Sequence, residues 1–127
     1  MAGEEPMPAG RLMVAAGLIW ITNVVASAIA YWELDRGGPF ARDPRHSRPE
    51  TRPDLLFPQM QGVAGWDARC WRPAFLDYVF VAFTSATAFS PTDTAPLSPR
   101  AKALMMLNAA VSLASVVLVA ARAVNAL

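Results

Sequence analysis

Thr87, Ser90, Thr92 and Asp93 place three hydroxyls and a carboxylate within seven residues, and Pro91 keeps that strip from being helical. Oxygen groups on irregular backbone are what a line of ions or waters needs. A hydroxyl beside a carboxylate, as in Ser90 with Asp93 or Asp77, is also the material of nucleophilic catalysis. That second reading lacks a base, because the only histidine, His46, lies in a charged loop. Asp77 reads as a charge near the positive end of a helix opened by Pro73. No enzymatic activity is expected. Cys70 is the only cysteine, so neither a disulfide nor a multi-ligand Cys/His metal site forms within one chain, and no cofactor is expected. A formal net charge of +1 offers nucleic acid no basic field.

The elements that must position the strip follow from three apolar stretches. Leu12 to Trp32 and Ala103 to Ala121 carry no formal charge, and each is long enough as a helix to cross a ~30 Å hydrocarbon core. Ala74 to Phe89 is apolar apart from Asp77 but shorter. The hydrophobic fraction of 54% is high for a soluble domain of 127 residues, and it is clustered rather than periodic. The expected fold is an all-α membrane protein whose two transmembrane helices flank a short re-entrant, pore-helix-like segment. One membrane domain is divided into a tail 1–10, a first span 11–32, a polar connector 33–73, a half-helix 74–89, a strip 90–99 and a last span 100–124. This implies a multi-pass protein of the cell membrane with lipid as its first partner. A cleaved signal peptide is the competing account of the first span, since Ala26-Ser27-Ala28 has A-x-A spacing. The run continues to Trp32 and is preceded by Glu4 and Glu5, so it reads as a retained span.

Gly37-Gly38-Pro39 ends the first helix, with Tyr31 and Trp32 at the interface and Glu33, Asp35 and Arg36 outside in water. The connector is rich in proline and in charges of both signs. Arg42 to Arg52 reads as a solvated loop, whereas Leu55 to Met60, Trp66 and Trp71 are apolar enough to lie on the interface or cap the helices. Ser98 reads as the N-cap of the last helix, with Pro99 at its first position. Within the spans, Asn23 and Ser27 form one polar stripe and Asn108, Ser112 and Ser115 another, accompanied by Ala109, Ala110, Ala114 and Ala121. Such stripes are expected to pack helix against helix.

Pro96-Leu97-Ser98-Pro99-Arg100-Ala101-Lys102 resembles the segment that opens the inner helix of two-span potassium channels. On that alignment Tyr78 to Val119 is similar to their pore helix, filter and inner helix. Asp93 falls at the aspartate after the filter, and Thr84 to Thr87 at the pore-helix threonines. The filter itself is replaced by Ala88-Phe89-Ser90-Pro91-Thr92, without its glycines, which implies that the usual potassium-selective carbonyl cage is absent. Over more of the chain, Trp20–Val24, Tyr31–Pro39, Phe57–Met60 and Ala86–Thr94 resemble a family of small bacterial integral-membrane proteins without an assigned activity. Members of that family often carry further spans upstream, which implies that this chain matches their C-terminal half.

Two functions are expected from these features. One is a channel-like protein whose strip lines a pore, assembled as a homo-oligomer or with other membrane subunits because one chain cannot enclose a pore. The alternative is a structural or accessory membrane subunit that conducts nothing. The side occupied by the connector is signalled both ways. Its seven arginines favour the inside, and the channel resemblance favours the outside, which is the expectation taken.

Overall fold

The computed structural model describes residues 8–45, 52–88 and 93–126. Among them the chain is mostly helical. The first helix, α1, is Ala9–Leu34, followed by a short turn Asp35–Gly37 and the four-residue α2, Pro39–Arg42. Next come α3, Phe75–Ala88, and α4, Pro99–Ala126. Two short strands, β1 (Leu55–Leu56) and β2 (Ala95–Pro96), pair antiparallel, with Leu55 opposite Pro96 and Leu56 opposite Ala95. This pair is an addition to the all-α expectation. Its backbone bonds tie the connector to the residues that lead into α4.

The end of α1 and the starts of the helices that follow have local causes. Asp35 leaves the helical region at ψ 120°, and Arg36 and Gly37 follow at φ 54° and 83°. With the Gly38 N–H on the Asp35 carbonyl at 3.1 Å, this is a turn of the I′ kind, with both central residues at positive φ. Gly38 is required sterically, because a Cβ there would lie 3.1 Å from the Glu33 carbonyl oxygen. The α3 start is capped by Asp77, whose carboxylate accepts the Ala74 N–H at 2.6 Å. At α4, Ser98 Oγ accepts the Ala101 N–H at 3.1 Å.

α1 and α4 have 26 and 28 residues, about 39 and 42 Å at 1.5 Å per residue. α3 has 14 residues, about 21 Å, and packs against both. Its first turns lie at the end where α1 stops and α4 starts, and the Ala86 carbonyl near its other end meets Ser112 partway along α4. The core is made of three helical stripes, Val24, Ala28 and Tyr31; Tyr78, Val81, Ala82 and Ala86; and Ala101 and Met105, together with Leu55 and Phe57 of the connector. The alanines let the backbones approach closely.

A polar seam runs beside this core. Asn23 Nδ2 donates to the Asn108 main-chain carbonyl at 3.0 Å, and Ser27 Oγ donates to Asn23 Oδ1 at 3.2 Å. Tyr31 OH donates to Asn108 Oδ1 at 3.0 Å, and Ser112 Oγ donates to the Ala86 carbonyl at 2.5 Å. Ser115 lies apart from this seam and bonds to Val111 of its own helix at 2.8 Å. The small residues expected beside the stripe also lie elsewhere: Ala109 is half-buried, and Ala110, Ala114 and Ala121 are exposed. The α4 residues that do pack inward are Ala101, Met105, Asn108 and Ser112, spaced four, three and four apart.

Asn108 is thus the hub between α1 and α4. Asn108→Leu leaves the Tyr31 hydroxyl without its acceptor and should lower stability by about 1 kcal/mol or more. Val117→Leu, at a side chain 57% exposed, should leave stability within about 0.5 kcal/mol of the parent. Thermal unfolding in detergent compares the two; equal losses would contradict this assignment of the buried face.

Candidate functional site

The densest polar chemistry among the described residues lies where α1 ends and α4 begins. Asp35, placed in water by the sequence reading, is 0% exposed. The correction has a physical reason: the turn after Leu34 swings its carboxylate back under the connector instead of out to solvent. Asp35 Oδ2 accepts the Tyr78 hydroxyl at 2.7 Å, and Oδ1 accepts the Asp54 and Leu55 N–H groups at 3.0 and 3.3 Å. Arg36 Nε stands 3.6 Å from the same carboxylate. A buried carboxylate is costly unless it is paired and hydrogen-bonded, and here three elements supply its partners.

Asp54 is the second buried acid. Its oxygens receive Arg100 Nε and Nη2, both at 2.9 Å, a two-point grip that a lysine cannot reproduce. Its Oδ2 also accepts the Arg36 N–H at 2.9 Å, and its carbonyl accepts the Leu97 N–H at 2.8 Å. Burial acts to raise the Asp54 carboxyl. Hydrogen bonds from Arg100, Ser98 and the Arg36 amide, with the Arg100 charge, outweigh that effect and hold it below its ordinary value of 3.8.

Arg42 corrects a second expectation. Read as the edge of a solvated loop, it is buried. Its guanidinium donates to the Trp32 carbonyl at 2.7 Å and to the Asp35 carbonyl, and it stacks over the Tyr78 ring 5.0 Å from the centroid. Arg100 adds a bond to the Leu34 carbonyl at 3.3 Å. Two guanidiniums therefore cover the negative end of α1, whose last carbonyls have no helical partner. Around them Phe57 meets Trp71 and Tyr78 at 5.3 and 5.6 Å, and Met60 Sδ receives Arg36 Nη2 at 3.4 Å.

The strip residues are placed differently. Ser90 and Thr92 lie outside the described residues. Thr87 is exposed at the end of α3, with its hydroxyl on the Phe83 carbonyl at 2.9 Å. Asp93 is exposed and accepts the Thr94 hydroxyl at 3.2 Å. No hydrogen bond joins Thr87 to Asp93 among the described residues. Asn23, Ser27, Asn108 and Ser112 do come together in the seam, and Ser115 does not join them. Cys70 is exposed, and the Asp67 carboxylate beside it raises its thiol, the opposite of activation as a nucleophile.

The sequence reading missed the knot of Asp35, Asp54, Arg36, Arg42, Arg100 and Tyr78. A signal for part of it was present. The motif Tyr31–Pro39 sets an acid and an arginine directly after an apolar run and before two glycines, which is costly unless the charges are used. The chemistry of the knot is mutual neutralisation, two carboxylates against three guanidiniums, and it holds three helices and the connector together.

Asp35→Ala, which strands a tyrosine hydroxyl and two amides, should cost about 3–5 kcal/mol. Glu33→Ala, at an exposed neighbour, should cost under about 0.5 kcal/mol. Equal melting temperatures in detergent would refute the knot.

The pH dependence has a defined sign. Because the folded Asp54 pKa is depressed, its contribution to stability is present above the unfolded value and is lost as pH falls below about 4. Melting scans from neutral to acid pH should show that loss in the parent chain, and Asp54→Asn should remove the Asp54 share of it. An unchanged acid limb in the variant would show that Asp54 is not the group responsible.

No protein-family model, curated protein or solved structure matches this chain.

Proposed function

We propose that this chain is an integral membrane protein in which α1 and α4 span the bilayer. In this reading α3 enters from the knot side, stops partway and gives way to a chain that returns to the same side. The observation that carries it is how hydroxyls outside the seam are satisfied. Thr22 bonds to the Leu18 carbonyl at 2.7 Å, Thr84 to Val81 at 3.1 Å, Thr87 to Phe83 at 2.9 Å and Ser115 to Val111 at 2.8 Å. Each hydroxyl is satisfied on its own helix, the arrangement that hydrocarbon demands. Two further features agree with it. Only 22% of the apolar window of α1 and 17% of that of α4 is buried, whereas a soluble core helix would be mostly covered. α1 also supplies Asn23, Val24, Ser27 and Ala28 to the interior, and cleavage after Ala28 would take away the Asn23 bond to Asn108.

The best-supported function is that of a structural or accessory membrane subunit. Asn23 and Ser112 bond across helices of one chain and Ser27 bonds back to Asn23, which removes these groups from a water-filled path. The buried charges of the knot are likewise engaged in holding the fold. Kinship with the small bacterial membrane family belongs to the same proposal: two of its motifs, Tyr31–Pro39 and Phe57–Met60, contribute Asp35, Arg36, Phe57 and Met60 to the knot. A channel-like reading is favoured by one observation, the half-length α3 between two long helices, and it requires several copies or other membrane subunits around an axis.

The exposed Cys70 is a built-in probe of topology. A membrane-impermeant maleimide at mildly alkaline pH should label Cys70 from one side of the membrane. In a Cys70→Ser background, Asp93→Cys should react from that same side and Asn125→Cys from the other. Labelling of positions 70 and 93 from opposite sides would refute the returning α3. For function, liposomes bearing the purified chain should show no potassium-over-sodium selectivity, and the accessory reading further expects no cation flux above protein-free liposomes. A selective potassium flux would overturn both statements.

A further inference from the structure

The segment that leads into α3 carries cations with no use inside the fold. Phe75 and Leu76 open the helix as exposed apolar side chains. Phe75 stands edge-on to Trp32, with ring centroids 5.9 Å apart, and Trp32 lies at the end of α1. The approach to α3 is therefore level with the end of the first long helix. Just upstream, Trp71 is tied down on Phe57 at 5.3 Å, while Val63 and Trp66 remain exposed. Between and beside these apolar groups lie Arg69 and Arg72, both exposed. Among the described residues neither is in an ion pair.

The acids close by are already engaged. Asp67 accepts the Arg69 N–H at 2.9 Å and takes the Cys70 thiol, and Asp77 accepts the Ala74 N–H at 2.6 Å. In contrast with Arg36, Arg42 and Arg100, which serve the knot, Arg69 and Arg72 are exposed and lie within three residues of the exposed Trp66 and Phe75. Tryptophan at headgroup depth with arginine just on its water side is the arrangement that meets a layer of lipid phosphates.

We propose that the segment 61–73 lies on the bilayer surface and that Arg69 and Arg72 select anionic phospholipids by their headgroup phosphates. This rests on the membrane reading above. A zwitterionic headgroup presents its own cation beside the phosphate and weakens the same contact, so the preference is for lipids of net negative charge. Each arginine should contribute a preference on the order of fivefold, the size expected for one basic residue near such a surface.

The test uses the full chain reconstituted in phosphatidylcholine vesicles and follows quenching of its tryptophans by brominated phosphatidylcholine or brominated phosphatidylglycerol. The parent chain should associate more strongly with the phosphatidylglycerol, and added salt should reduce that difference. Arg69→Gln/Arg72→Gln should bring the ratio near one, and Arg69→Lys/Arg72→Lys should retain most of it. Equal quenching by both lipids in the parent chain would overturn the proposal, as would a preference that survives the glutamine variant. Absence of quenching by either lipid would instead overturn the membrane reading on which the proposal rests.

Discussion

A carboxylate without solvent organises this molecule. Asp35 stands at the end of a long apolar helix, and an ionised group there is stable only if donors come to it. Tyr78 brings the first turns of α3, and the amides of Asp54 and Leu55 bring the connector. Asp54 in turn fastens Arg100 at the start of α4. Through one acid and its neighbour, the three helices and the short strand pair are tied at a single end. The left-handed conformation of Arg36, unfavourable for a residue with a Cβ, is held by the same contacts, because its N–H is a donor to Asp54.

Away from the knot the interior relies on other forces. Small side chains allow α1, α3 and α4 to approach, and amide and hydroxyl bonds set their register. Tyr31 spans the two regions, since it precedes the buried acid by one turn and ends on Asn108. The seam thus extends from the knot the alignment that Asp35 establishes. In the proposed bilayer setting this division is sensible: the charge network lies at the interface, where its outer atoms meet water, and only neutral hydrogen bonds lie deeper.

The same division bears on function. A subunit that conducts ions must leave polar groups uncommitted along a path, and the described polar groups of the seam are almost all committed inside one chain. Asn108 Nδ2 and Ser85 Oγ are buried without a hydrogen-bond partner, and both belong to residues beside the Tyr31 hydroxyl. They mark the least satisfied place in the seam and lie between helices of one chain rather than on an outer face. This favours a protein whose interior maintains shape and whose outer faces, rich in leucine, valine and isoleucine, meet lipid or neighbouring subunits.

The sequence alone determined the helices, because uninterrupted apolar runs, Gly-Gly-Pro and Ser-Pro punctuation are local signals that act within a few residues. Two long helices with a short one between them were legible for that reason, as were the N-cap at Ser98 and the helix-end position of Asp77, though not its bond to the Ala74 N–H. The polar stripes were legible in part: periodicity placed Asn108 and Ser112 on one face, but it could not distinguish Ser115, which bonds to its own backbone, from residues that reach a neighbour. What only the tertiary structure decided is the destination of the charges. Asp35 and Glu33 are both acids just past an apolar run, and nothing local separates the buried anchor from the exposed one. The separation depends on where Tyr78, Asp54 and Arg100 arrive from 43, 19 and 65 positions away, and such long-range encounters leave no periodic trace in the chain.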